Sequence, residues 1–114
     1  MKKGKQMLEN GISALLIEDN PIHVRLIQKL LSETANPSFD LATADTLARG
    51  IGKLEEDEFD VVLLDLILPD SEELETFNRL RAANSDIPVV ILTSLDDVTL
   101  AARAVESGAQ DYLV

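Results

Sequence analysis

The side chains with the clearest chemical potential in this sequence are three carboxylates and one hydroxyl, each placed directly after a short apolar run. Glu18 and Asp19 follow one run, Asp65 follows a second, and Thr93 follows a third. A carboxylate set within apolar residues, as Asp65 is, is costly to bury unless it is paired or used. Taken singly, the others would more often be turn, cap or strand residues, so the prediction rests on their agreement.

Three carboxylates brought together repel one another, and each raises the pKa of its neighbours unless a cation joins them. Mg²⁺ fits this need best, because one or two carboxylates hold it while water and a substrate phosphate complete its octahedron. The ion would neutralise a phosphoryl group during its transfer. A carboxylate could then act as the nucleophile and form an acyl phosphate, with the Thr93 hydroxyl donating to a phosphoryl oxygen.

The elements that must position these residues alternate between two types. Apolar runs at 14–17, 61–64 and 89–92 lack polar alternation, which is typical of strands buried on both faces of a parallel sheet. Segments 39–43 and 112–114 are weaker strand candidates. Helical spacing predicts a helix between each pair of strands, the first carrying Ile22, Leu26, Ile27, Leu30 and Leu31.

Capping residues predict where two of these helices begin, and a glycine affects the stability of another. Asn20, followed by proline, is predicted to cap the first helix. Asp70 and Glu73 are predicted to form the capping box of the third. Gly50 is expected to weaken the second helix, because glycine is a poor helix former.

The pattern β-α-β-α-β-α-β-α-β predicts an α/β fold with a doubly wound parallel five-stranded sheet and right-handed crossovers. With strand order 2-1-3-4-5, the first, third and fourth strands are neighbours. Their carboxyl ends then meet at one edge of the sheet, where open α/β sheets bind ligands. The three carboxylates and the hydroxyl are therefore expected to converge there.

Composition excludes several function classes. A net charge of −11 argues against direct binding of nucleic acid, which needs a basic face. The absence of cysteine excludes disulfides and thiolate metal sites and is compatible with a cytoplasmic location. No apolar run approaches the roughly 20 residues of a membrane span. We expect an N-terminal tail at 1–11 and one domain at 12–114.

Four segments resemble the signature segments of response-regulator receiver domains of two-component signalling. They occur in family order and spacing, and they are residues 14–21 (ALLIEDNP), 61–70 (VVLLDLILPD), 88–94 (PVVILTS) and 108–114 (GAQDYLV). The resemblance implies a flavodoxin-like receiver fold. It also implies a phosphoacceptor switched by a kinase, with no enzyme activity beyond self-phosphorylation and slow autodephosphorylation.

The resemblance also implies roles for individual residues. Asp65 looks like the phosphoacceptor, supplied by a phosphohistidine of a sensor histidine kinase or histidine phosphotransfer protein. Asp19 looks like a direct Mg²⁺ ligand, assisted by Glu18 through water, and the backbone carbonyl of Ile67 looks like another ligand.

Thr93 looks like the switch hydroxyl, and Ser94 matches the small position beside the phosphorylation site. Tyr112 looks like the aromatic switch residue, although a lone tyrosine in a strand is more often half-buried packing. His23, the single histidine, is interpreted as a solvated surface residue.

Two departures from the family pattern affect the prediction. Glu73 occupies a position where the family usually has glycine, and we expect the third helix to begin earlier, capped by Asp70. The sequence stops at Val114, before the family's phosphate-contacting lysine and fifth helix, so we expect an incomplete domain that self-associates. A homodimer or a fused effector domain is the expected further partner.

The sequence leaves one alternative function open and argues against another. A phosphorylation-independent pseudo-receiver, an interaction module of the same fold, stays open as the alternative. An aspartate-nucleophile phosphatase would need a second aspartate two residues after the first, and Ile67 occupies that place.

Overall fold

The computed structural model describes residues 11–34, 38–92 and 98–113. Within these ranges strands and helices alternate along the chain as predicted. The strands are β1 (Gly11–Ile17), β2 (Ser38–Ala44), β3 (Val61–Asp65), β4 (Val89–Leu92) and β5 (Asp111–Leu113). The helices are α1 (Pro21–Ser32), α2 (Leu47–Glu56), α3 (Glu73–Ala83) and α4 (Val98–Glu106). None of the helices in the described ranges is long and apolar enough to cross a membrane.

The strands form one parallel sheet in the order β2-β1-β3-β4-β5, which confirms the predicted topology. Ile17 pairs with Leu64, and Asp65 pairs with Leu92. The ends of β1, β3 and β4 therefore lie side by side at one edge. Right-handed crossovers in this order place α1 on one face of the sheet and α2, α3 and α4 on the other.

The core lies mainly between the sheet and the face covered by α2, α3 and α4. Phe77 and Leu80 of α3 are buried there with Leu64 and Ile91 of the sheet. Burial on both faces was expected for three strands and is found in β1, whose last five residues are buried. In β3 and β4 that expectation is wrong, because buried and half-buried residues alternate.

The side of the sheet that carries α1 is less covered because α1 packs beside β2 and, within the described ranges, no second helix follows it there. None of the residues of α1 is buried. The helical stripe predicted from its spacing leaves Ile22, Leu26 and Leu30 exposed by 72%, 54% and 55%.

Gly50 in α2 has a packing role that corrects its interpretation as a weak helix position. It is buried, and a Cβ atom at this position would meet Cδ1 of Ile17 and lie 2.8 Å from Cγ1 of Ile17. Glycine therefore allows α2 to approach β1 closely, and this contact seats α2 on the sheet.

The predicted cap of α1 is confirmed, and the predicted cap of α3 is wrong. The Asn20 side chain accepts the Ile22 backbone N–H at 2.9 Å and caps α1. Asp70 does not cap α3, which begins later than predicted, after Glu72, without a side-chain cap. Glu73 has a φ of 58°, in the left-handed region that favours glycine. The predicted early start of α3 is wrong because the Asp70 side chain accepts hydrogen bonds from α2 instead.

Candidate functional site

Three predicted carboxylates meet at the carboxyl edge of the sheet. Glu18 and Asp19 follow β1, and Asp65 is the last residue of β3. One carboxylate oxygen from each lies within 4.8 Å of the others. Glu18 is buried, Asp65 is half-buried and Asp19 is exposed, so the cluster opens to solvent on one side.

Glu18 is held in place from several directions. Its backbone N–H donates to the Ala44 carbonyl at 2.9 Å, which ties the end of β1 to β2. Its Oε2 accepts the backbone N–H groups of Asp19 at 3.0 Å and Asn20 at 3.4 Å. Its Oε1 lies 3.0 Å from Nδ1 of His23 in the first turn of α1.

His23 is therefore a site residue that sequence reasoning missed. Its side chain is 57% exposed, as expected of a surface histidine, yet its ring contacts a buried carboxylate. The chain turns between Glu18 and His23 through the Asn20 cap, and this turn brings together side chains five residues apart. Because that spacing follows neither the helical nor the strand period, no sequence pattern pointed to the pair.

Crowding of the carboxylates perturbs their protonation. Burial, a hydrogen bond with Glu18 and the nearby charges of Glu18 and Asp19 raise the pKa of Asp65 to about 7, although the Ile67 N–H opposes this. Burial also acts to raise the pKa of Glu18, but hydrogen bonds from Asp65, His23 and the Asn20 backbone outweigh it and lower that pKa. Without a cation, the proton of the Glu18–Asp65 pair therefore resides on Asp65.

The donor set of this cluster suits a hard divalent cation. All three ligand groups are carboxylates, and Mg²⁺ prefers oxygen ligands with open positions for water and phosphate. The raised pKa of Asp65 comes first from burial and then from the neighbouring acids, as expected of carboxylates packed together without a balancing charge. A cation between them would remove that repulsion and leave Asp65 ionised.

Ile67 lies two residues after Asp65, in the loop between β3 and α3. Its backbone N–H donates to Oδ1 of Asp65 at 3.0 Å, and its side chain is exposed. This contact fixes one carboxylate oxygen. The ligand role of the Ile67 carbonyl stays a prediction.

The remainder of this loop is anchored by contacts that sequence reasoning did not identify. Thr76 is fully buried, and its hydroxyl lies 2.7 Å from the Leu66 carbonyl and 3.0 Å from the Ser71 hydroxyl. Arg79 donates to the Asp70 carbonyl at 2.9 Å. These bonds hold the segment that follows Asp65 against α3.

The predicted switch residues are placed only in part. Tyr112 lies in β5, half-buried against the core and paired with Ile91. Thr93 and Ser94 lie outside the described residues. The switch roles of all three stay predictions.

Comparison with known proteins agrees with the fold. Residues 14–114 match the family model described as the response regulator receiver domain. The transcriptional regulatory protein ZraR of Escherichia coli K12 is 30% identical over 108 residues, which are 95% of this chain. The match spans 24% of ZraR, so the chain corresponds to about a quarter of that relative.

Solved structures of other proteins share this fold. The phosphorylated cyanobacterial phytochrome response regulator RcpA has a TM-score of 0.71 and 26% identity, covering 91% of this chain and 80% of that one. The receiver domain of a sensor histidine kinase from Pseudomonas aeruginosa PAO1, with magnesium coordinated in its active-site cleft, has a TM-score of 0.74 and 24% identity. That likeness covers 91% of this chain and 84% of the other. This chain therefore belongs to the family of response regulator receiver domains.

Proposed function

We propose that Asp65 is the phosphoacceptor of a two-component response regulator. The observation that carries this proposal is the convergence of Asp65 with Glu18 and Asp19 at the carboxyl edge of the sheet. Family membership supports it, and RcpA is a relative described as phosphorylated. The proposed donor is a phosphohistidine of a sensor histidine kinase or of a histidine phosphotransfer protein.

The transfer would be a displacement at the phosphorus atom. A carboxylate oxygen of Asp65 forms the new P–O bond while the P–N bond to the donor imidazole breaks and leaves its electron pair on nitrogen. Asp65 must be ionised to attack, and a cation beside it favours that form. Water later attacks the phosphorus, the P–O bond to Asp65 breaks, and inorganic phosphate leaves while the carboxylate is regenerated, which gives slow autodephosphorylation.

We propose Mg²⁺ as the cofactor of this step. Asp19 and Asp65 would bind it directly, Glu18 would assist through water, and the Ile67 carbonyl would be a further ligand. The all-oxygen donor set supports this choice, as does the magnesium ion in the Pseudomonas aeruginosa neighbour. Bound there, the ion supplies charge neutralisation to the phosphoryl group.

The proposed consequence of phosphorylation is a change in an interaction surface. Thr93 would donate its hydroxyl to the phosphoryl group, with Ser94 leaving room beside it, and Tyr112 would turn inward as Thr93 moves. Such a switch biases a two-state element by adding charge at one point. The output would pass to a second copy of the chain or to a fused effector domain.

We propose that residues 12–114 form the receiver and residues 1–11 a tail. The exchange with the kinase is proposed to take place in the cytoplasm.

The test is phosphorylation by acetyl phosphate, followed by intact mass measurement with and without Mg²⁺. Wild type is compared with Asp65→Asn and with Asp40→Asn, which changes an exposed aspartate of β2 and serves as the matched control. We expect one phosphoryl group on wild type and on Asp40→Asn only with Mg²⁺, and none on Asp65→Asn. Equal modification of Asp65→Asn would place the acceptor elsewhere.

A further inference from the structure

His23 and Glu18 form a contact that the proposed chemistry does not yet use. Nδ1 of His23 lies 3.0 Å from Oε1 of Glu18, and the Glu18 side chain is only 5% exposed. An ionised carboxylate can only accept hydrogen bonds, so the proton of this bond belongs to Nδ1 of His23. The imidazole therefore donates to a nearly buried carboxylate of the acidic cluster.

The backbone donors of Glu18 all act on its other oxygen. Oε2 accepts the N–H groups of Asp19 and Asn20. Oε1 has the imidazole of His23. Removing His23 would leave Oε1 without that donor and allow the carboxylate to rotate about its terminal torsion, which has a broad energy profile.

Asp65 also hydrogen-bonds Glu18, but only in its protonated form can it donate. A carboxylate that ligates a cation is ionised, so Asp65 cannot hold Glu18 in this way once a cation is bound. Within the described ranges, His23 is then the side chain known to donate to Glu18.

We propose that His23 is a positioning residue that orients the Glu18 carboxylate toward the Mg²⁺ site and so sets the affinity of that site. The inference rests on the proposed function, because it presumes that the cluster binds Mg²⁺. Removing a donor that orients a metal-binding group typically costs 10–100-fold in metal affinity, and the lower end applies here because Glu18 would act through water.

The first measurement needs no metal. His23 is the single histidine of the chain, so its ring nitrogens give unambiguous signals in ¹H–¹⁵N NMR at about pH 8, where imidazole is ordinarily neutral. We expect the proton on Nδ1 in wild type and on Nε2 in Glu18→Ala. A proton on Nε2 in wild type would overturn the proposal.

The second measurement is Mg²⁺ affinity by isothermal titration calorimetry. His23→Leu removes the donor, and His23→Asn places an amide N–H close to the position of Nδ1. Gln28→Leu is the matched control, a neutral polar residue replaced on an exposed position of the same helix. Thermal unfolding without Mg²⁺ monitors the fold of each variant.

We expect His23→Leu to weaken Mg²⁺ binding about tenfold, His23→Asn to recover most of that loss, and Gln28→Leu to match wild type. An unchanged affinity in His23→Leu overturns the proposal, and so does a His23→Asn variant as weak as His23→Leu. If Asp65→Asn loses Mg²⁺ binding while His23→Leu keeps it, only this inference fails. If wild type binds no Mg²⁺, both the proposed metal site and this inference are wrong.

Discussion

The carboxylate of Asp70 binds the first turn of α2, beside the N-cap residue Thr46. Its two oxygens accept the backbone N–H groups of Leu47 and Ala48, each at 2.9 Å. The loop that follows the proposed phosphoacceptor is thereby joined to α2, a helix more than 20 residues earlier in the chain. Negative charge at this end of α2 also complements its dipole.

Replacing Asp70 with alanine should lower the free energy of unfolding by about 1 kcal/mol, the usual cost of removing a side chain that accepts N–H groups at a helix N-terminus. Glu72→Ala is the control, because Glu72 precedes α3 without capping it. Urea unfolding measures both. Equal stability of Asp70→Ala and wild type would contradict this role.

The stabilisation by Asp70 should also be lost in acid. Slight desolvation acts to raise the pKa of the exposed Asp70, but the N–H groups of Ala48 and Leu47 outweigh it and lower the pKa. The folded state therefore binds fewer protons than the unfolded chain, whose aspartates titrate near pH 3.9. The stabilisation is complete above that pH and disappears as the pH falls through the folded pKa. The stability difference between wild type and Asp70→Ala should shrink accordingly.

The stability that Asp65 contributes should depend on pH in the opposite way. Its pKa is raised to about 7 in the folded protein, against about 3.9 in an unfolded chain. Between these values the folded state holds the extra proton, so the stability from this group is complete below about pH 4 and is lost as the pH rises through 7. Relative to Asp65→Asn, wild type should lose stability over this range in the absence of divalent cations. Millimolar Mg²⁺ should abolish the loss, and a flat difference without Mg²⁺ would show that the pKa of Asp65 is not raised in the folded protein.

Glu73→Gly should stabilise the protein by about 0.5–1 kcal/mol, because glycine adopts a positive φ without the steric cost that Glu73 incurs at 58°. Glu75→Gly, in the first turn of the same helix, is the control and should destabilise by a similar amount. Thermal or urea unfolding measures the stability of both variants. Destabilisation of the two by the same amount would argue against strain at Glu73.

Gly50→Ala should destabilise the protein by about 1–3 kcal/mol, because its Cβ would overlap the side chain of Ile17. Gly52→Ala offers the opposite case, since no atom lies within 4 Å of the added methyl group. That change should stabilise α2 by about 0.5–1 kcal/mol. Similar effects of both substitutions in urea unfolding would refute the close packing of α2 on β1.

Much of the fold was predictable because strand periodicity and helix spacing are local properties. The alternation of strands and helices predicted a parallel sheet with right-handed crossovers, and the resemblance to receiver domains implied the strand order 2-1-3-4-5. The meeting of Glu18, Asp19 and Asp65 then followed from parallel register alone. These residues are close in space because their strands end at one edge.

Contacts that cross between elements were not predictable in the same way. Asp70 was assigned to the nearest helix, whereas its partners lie at the start of α2. Gly50 was judged by helix propensity, although tertiary packing against Ile17 decides its role. The sequence favours a solvated surface residue at His23, whereas its contact with Glu18 depends on how the chain turns into α1.

The most direct test of the central claim is binding of beryllofluoride, a mimic of the phosphoryl group, followed by ¹⁹F NMR. We predict a bound signal in wild type that requires Mg²⁺ and is absent from Asp65→Asn. A bound signal that persists in Asp65→Asn, or no bound signal in wild type with Mg²⁺, would contradict the assignment of Asp65 as the phosphoacceptor.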